Sequence, residues 1–194
     1  MRIVFEGIWG STIDYLIKRI TEDQEVPFDR VKVSIPPPPF NGLRGWTYAL
    51  TENMEIWKQQ NETEEDIVLY QHSVWSSYAF ASALVEESVF ANDELSLFKD
   101  MCEGLSELNN LPDYIVYCHA FPKTAHQRLK REKSICSTIN EHGLMETSKS
   151  LIAWLDEMKD KGVKVIEFPP PFSDDELEQW YDFANNTLKE VFNN

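Results

Sequence analysis

The opening of the chain constrains its fold more than any other segment. Arg2-Ile3-Val4-Phe5 is a short apolar run that ends at Glu6-Gly7, and from Thr12 the pattern changes to Ile13, Leu16, Ile17 and Ile20 at helical spacing. A buried strand, a glycine turn and an amphipathic helix begin a βαβ unit. A parallel strand pair cannot be closed by a hairpin and needs a crossover helix, so the rest of the chain must keep alternating strands with helices. It does. Residues 28–35 alternate Val31, Val33 and Ile35 with polar residues, and four prolines at 36–39 stop that strand. Residues 46–60 read as a helix with Trp46, Leu50, Met54 and Trp57 on one face. Strands are expected at 67–70, 114–119 and 163–168, and helices at 75–90, 94–108, 122–132 and 138–161, the last ended by Gly162. Ser173 is placed to cap a C-terminal helix, with Asp174, Asp175 and Glu176 at its positive end. The reading is α/β: three layers, a parallel sheet of about five strands and helices on both faces. The strand after the first glycine turn is expected at the centre of the sheet, and residues 1–194 are read as a single domain without internal repeats.

Charge narrows the partners. There are 33 acids against 18 bases, a net −15. A field of that sign repels phosphate backbones, so nucleic acid and anionic membranes are not expected partners. No run approaches the ~18 apolar residues of a membrane helix. The first residues lack the layout of a signal peptide. Cys102, Cys118 and Cys136 are odd in number and widely spaced, without the two-residue gap of a zinc or redox motif. They read as reduced thiols of a cytoplasmic protein. No histidine has a neighbour at metal-ligand spacing, so no metal site is expected.

Between the first strand and the first helix stands Gly7-Ile8-Trp9-Gly10-Ser11-Thr12-Ile13-Asp14. This is where a phosphate-binding loop would lie: Gly, four residues, then Gly-Lys-Ser/Thr. Its amides cradle phosphates, its lysine neutralises them and its hydroxyl holds magnesium. Read without a gap, Thr12, Ile13 and Asp14 replace the second glycine, the lysine and the hydroxyl. Read with a gap, Gly10, Ser11 and Thr12 match the flanks and a Gly-Lys pair is missing. Lys18 lies a turn or more into the helix. The turn is therefore expected to be shorter than a phosphate loop, with Trp9 filling part of the phosphate position.

Several further segments, in the right order along nearly the whole chain, resemble the deoxynucleoside kinase family and its relative thymidylate kinase. Residues 3–7 resemble their first strand. Residues 68–80, with Gln71-His72-Ser73, resemble the strand and helix bearing the family's acid-Arg-Ser motif. Residues 112–117, followed by Pro122, Ala125 and Arg128-Leu129-Lys130-Arg131, resemble the strand leading to the family's basic lid, here at about 123–137. Residues 144–155 resemble the helix after it.

What the resemblance implies is a P-loop kinase fold; what the residues retain is much less. Gly7, Trp9, Gly10, Ser11 and Thr12 are the remnant of the phosphate loop. Gln71 and His72 replace the acid and the arginine, and only Ser73 survives. No acid follows the second strand to serve as the family's base. Trp46, Thr51 and Gln71 are the remnant of the substrate pocket, with Thr51 near the place of the base-reading glutamine. Arg128 and Arg131, with Ser73 and His72, are the residual candidates for catalysis, although a solvated helix face also accounts for the lid's charges. Two readings follow. One is a catalytically impaired relative that acts by binding a protein, by self-association, or by sensing a nucleoside or nucleotide, with no cofactor. The other is an active deoxynucleoside or thymidylate kinase with a rebuilt loop, using ATP and magnesium.

Overall fold

The computed structural model describes residues 1–23, 29–32, 47, 50–51, 54, 67–73, 76–83, 91–107, 111–134, 139–171 and 173–192. The elements among the described residues are β1 Arg2–Glu6, α1 Ile13–Asp23, β2 Asp29–Lys32, β3 Val68–Gln71, α2 Ser77–Ala83, α3 Asn92–Glu107, β4 Tyr114–Cys118, α4 Pro122–Arg131, α5 Glu141–Asp160, β5 Lys164–Phe168 and α6 Leu177–Phe192. Thr47, Leu50, Thr51 and Met54 are also helical, as their spacing predicts. The other residues of the 46–60 helix, the prolines at 36–39 and Phe40 lie outside the described residues.

The strands form one parallel sheet in the order β2-β3-β1-β4-β5. The strand after the first glycine turn, β2, lies at an edge, and β1 takes the centre instead. The apolar patterns account for this correction. Ile3, Val4, Phe5, Val68, Leu69 and Tyr70 are covered on both faces of the sheet, so continuous apolar runs take inner positions. β2 contains no such continuous apolar run. Two cores sit on either side. Val4, Tyr70, Ile115 and Tyr117 face Phe80, Phe98, Leu144, Leu151 and Trp154. Ile3, Phe5, Leu69, Val116 and Cys118 face Leu16, Ile17, Trp180, Tyr181 and Leu188. The three expected layers are therefore present.

Two ends differ from expectation. A 3-10 turn, Asp174–Glu176, separates Ser173 from α6, and the Glu176 amide donates to the Ser173 carbonyl at 3.3 Å. Ser173 thus opens a tighter turn rather than capping α6 itself. The sequence also suggests the proline connectors at 36–40 and 168–172, with their flanking aromatics, as a partner's docking surface; Phe168 is instead core, 1% exposed and edge-on to Trp180 at 6.0 Å. Phe172 lies outside the described residues, as does Cys136. Gly162 ends α5 as predicted: its φ is +87°, and the amides of Gly162 and Val163 return to the carbonyls of Lys159 and Met158.

Candidate functional site

Ligands of open parallel sheets bind beyond the carboxyl ends of the strands, next to strands whose crossovers diverge. Here β1 and β4 are such a pair, their crossovers leading to β2 and β5 at opposite edges, and the turn after β1 lies at that end. The turn is short: residues 7–12 join Glu6 to Ile13. The Ser11 amide donates to the Ile8 carbonyl at 3.0 Å, and Gly10 has φ +78°. A closing bond with the third residue at positive φ describes a type II turn, so the Ser11 amide is spent inside the turn rather than offered to an anion. The chain then enters α1, whose first bond runs from the Leu16 amide to the Thr12 carbonyl at 2.9 Å.

Trp9 is only 8% exposed and packs edge-on against Phe80, with ring centroids 4.7 Å apart. The ring belongs to the core beneath α2 and α4. The expectation that it would stand in the phosphate position is therefore corrected: a large ring gains most where it is fully covered, and the core offers that cover. Gly10 meets α4 so closely that a Cβ there would lie 2.5 Å from the Ala125 carbonyl oxygen. Gly7 is crowded in the same way by the Cys118 carbonyl at 2.7 Å.

Two acids flank the turn. Asp14 lies in the first turn of α1 and accepts from Gln71 Nε2 at 2.7 Å. A carboxylate there takes the positive end of the helix, where a phosphate would otherwise be held. Glu6, at the end of β1, is fully buried, and its Oε2 lies 3.0 Å from Nδ1 of His72. Its Oε1 has no hydrogen-bond partner among the described residues. His72 has φ +65°, an uncommon conformation for a side chain of its size, and its ring packs edge-on to Phe80 at 5.4 Å. Its amide donates to the Phe5 carbonyl at 2.9 Å, which carries the β1–β3 pairing one residue further. His72 therefore makes a structural bond, to a partner the sequence did not reveal.

Ser73 is buried and caps α2, its Oγ accepting from the Ser76 amide at 3.2 Å. Thr12 is 2% exposed; its hydroxyl has no oxygen or nitrogen partner among the described residues and faces the Cys118 thiol. Burial pushes that thiol up to about 12, against the opposing bond to Thr12, so it is no nucleophile near neutral pH. Burial first, and then the nearby charge of Glu6, also pushes the Tyr117 phenol up to about 12, although a bond with Ser148 opposes both. Thr51 is exposed, and its hydroxyl returns to the Thr47 carbonyl at 2.9 Å. Trp46 lies outside the described residues.

The lid segment is described through residue 134. Lys123, Lys130, Arg131 and Lys133 are exposed, as a solvated face requires. Arg128 departs from that reading: it is 7% exposed, and its Nη1 donates to the Gly10 carbonyl at 3.4 Å. Lys18 is exposed and pairs with Glu22 at 3.8 Å, away from the turn. The structure thus brings together Gly7, Gly10, Ser11, Thr12, Gln71, His72, Ser73 and Arg128, and leaves Thr51 and Arg131 at the surface. Glu6 and Asp14 are the members that sequence reasoning did not place in the site. An acid directly before the turn glycine and another in the first helical turn were the available signals.

Among the described residues, no three His, Cys, Asp or Glu side chains are grouped to hold a metal ion, and no helix is long and apolar enough to cross a membrane. No curated protein matches the chain by sequence. Solved structures do match its fold. Deoxyadenosine kinase from M. mycoides with bound dATP superposes with a TM-score of 0.77 at 15% identity, covering 97% of this chain and all of that one. The same enzyme with bound dCTP gives 0.76 at 13% identity, with 98% of this chain covered and again all of that one. The family model described as deoxynucleoside kinase matches residues 40–192, a span that begins after the turn and takes in β3, the lid and everything beyond. With most of its length matched and the P-loop kinase fold in place, this chain belongs to the deoxynucleoside kinase family.

Proposed function

We propose that this protein is a deoxynucleoside kinase relative that has lost phosphoryl transfer and acts by binding a nucleoside or nucleotide, or a protein partner. The observation that carries this reading is the turn after β1. It has no lysine, its Ser11 amide is used internally, and Asp14 sits at the helix end that would receive phosphate. Phosphoryl transfer depends on positioning and on neutralising charge, with little covalent help from the protein. Removing one charge-stabilising group commonly costs about 10²–10³ in rate. Here the lysine and the arginine of the acid-Arg pair are both replaced, and groups that act as a unit fail together. The dATP and dCTP held by the M. mycoides enzyme make nucleotides the first ligands to try. A cytoplasmic location fits this reading.

One observation favours an active kinase using ATP together with magnesium. Arg128 keeps a cation against the Gly10 carbonyl, where a rebuilt loop would need one. A single experiment separates the readings: labelled ATP and magnesium with each common deoxynucleoside and its monophosphate, at high protein concentration, beside calorimetry with the same ligands. The expected result is no turnover, with binding observed for a nucleoside or nucleotide or for none of them. Turnover that survives purification and is lost in Arg128→Ala would establish the kinase.

A further inference from the structure

The amino-terminal edge of the sheet, opposite the turn after β1, carries a cavity of about 560 Å³ between the start of β4, the end of α5 and the last turn of α6. That volume lies within the ~300–1,000 Å³ of small-molecule sites. Leu111, Pro112, Val163 and Val191 supply apolar wall. Its charge comes mainly from two lysines. Lys164 lies over the Tyr114 ring, its Nζ 4.9 Å from the centroid and donating to the phenol oxygen at 3.0 Å. Lys161 flanks the Gly162 turn. The bond to Tyr114 raises the affinity of Lys164 for its proton, so the ammonium persists.

What distinguishes these lysines is their place beside a cavity. Lys18, Lys99, Lys149 and Lys159 each sit against a carboxylate. Lys161 and Lys164, like the exposed Lys123, Lys130, Lys133 and Lys189, have no carboxylate within ion-pair distance among the described residues. The acid in the cavity wall, Asp113, accepts instead from the Arg2 amide at 2.7 Å. Two ammonium groups without a bonded carboxylate therefore stand at the rim of a cavity whose wall is partly apolar and partly polar. The returning bonds of Gly162 and Val163 hold the backbone turn between the two lysines.

We infer that this cavity binds a small organic anion, a carboxylate or phosphate on an apolar body, with Lys161 and Lys164 on the anion and Val163, Val191 and Leu111 on the body. The inference does not rest on the reading of the turn after β1, which lies at the other end of the strands. The probes are hexanoate, benzoate, phenyl phosphate and inorganic phosphate, titrated into the whole chain while amide NMR signals are followed. The expected result is saturable shifts of Tyr114, Gly162, Val163 and Lys164 with the organic anions and weaker ones with inorganic phosphate, while residues 7–12 stay unmoved. The comparison of benzoate with phenyl phosphate assigns the anion. The double variant Lys161→Gln, Lys164→Gln should weaken binding about tenfold or more, since a hydrogen bond to a charged group contributes about 1.5–3 kcal/mol. Both side chains are exposed, so its melting temperature should stay unchanged. Absence of saturation, equal shifts with inorganic phosphate, or affinity unchanged in the double variant would each overturn the inference.

Discussion

Two glycines with positive φ stand at turns after β1 and α5, and they differ in what surrounds them. A Cβ on Gly10 would meet the Ala125 carbonyl oxygen at 2.5 Å and Leu129 Cγ at 3.0 Å, whereas one on Gly162 would meet nothing within 4 Å. Gly162→Ala should therefore cost only the backbone term, about 1–2 kcal/mol. Gly10→Ala adds a collision with backbone and should cost about 3 kcal/mol or more. Urea unfolding midpoints of the two variants test the difference; equal losses would mean that α4 does not press on the turn. The Glu6–His72 pair makes a second prediction. Truncating His72 to alanine leaves a fully buried carboxylate without its partner, a loss of about 3–5 kcal/mol. Adding Glu6→Gln to His72→Ala should recover part of it, because the stranded charge is then gone. A double variant less stable than His72→Ala alone would show that Glu6 has other support.

At the scale of elements, the end of α5 is tied to β5 and to the exit of β4 by one carboxylate. Glu167 takes Lys159 Nζ at 2.9 Å on one oxygen and His119 Nε2 at 2.9 Å on the other, and Lys159 also reaches Asp156 at 3.1 Å. The bond from Lys159, and then the one with His119, hold the Glu167 carboxyl below the usual range for a glutamate. A depressed folded value means that the contribution is present above the unfolded pKa of about 4.3 and is lost as pH falls through the folded one. Melting temperature should thus drop more steeply below about pH 4 in the parent chain than in Glu167→Gln, and the two profiles should run parallel above about pH 5. Much at this scale was legible beforehand. The apolar runs of β1, β3 and β4, the proline that opens α4 and the glycine that ends α5 are local signals, and the structure places elements where they point. Strand order was not legible, because it depends on pairings between segments far apart in sequence, such as Ile3 with Leu69 and Tyr114. The burial of Arg128 was hidden for the same reason: its acceptor, Gly10, is 118 residues away in sequence. So was the Glu6–His72 contact, which spans 66 residues and joins two strands whose adjacency no local pattern declares.

For the whole molecule, the net −15 acts on stability through self-repulsion. Salt shortens the reach of that repulsion, from about 30 Å at ~0.01 M to about 3 Å at ~1 M. The exposed pairs Lys18–Glu22, Lys99–Glu103 and Lys149–Glu146 are weakened too, but each contributes only about 0.2–1 kcal/mol. Melting temperature should therefore rise with sodium chloride, and a fall would show that the local pairs outweigh the global field. The central place of β1 has a further consequence, in time rather than in space. Its neighbours are β3 and β4, so Ile3 pairs with Leu69 on one side and with Tyr114 on the other. The Arg2 amide and the Asp113 carboxylate that pin its start are separated by 111 residues. During synthesis β1 precedes both of its neighbours, and it acquires the second only after more than 100 further residues have followed, since its start and Asp113 lie 111 residues apart. At about 5–20 residues per second, Ile3, Val4 and Phe5 wait several seconds with one strand edge open. Contacts of such long sequence separation also slow refolding of the finished chain. The strand that organises the sheet thus waits longest for its partners, and the nascent protein is most exposed to mispairing at β1.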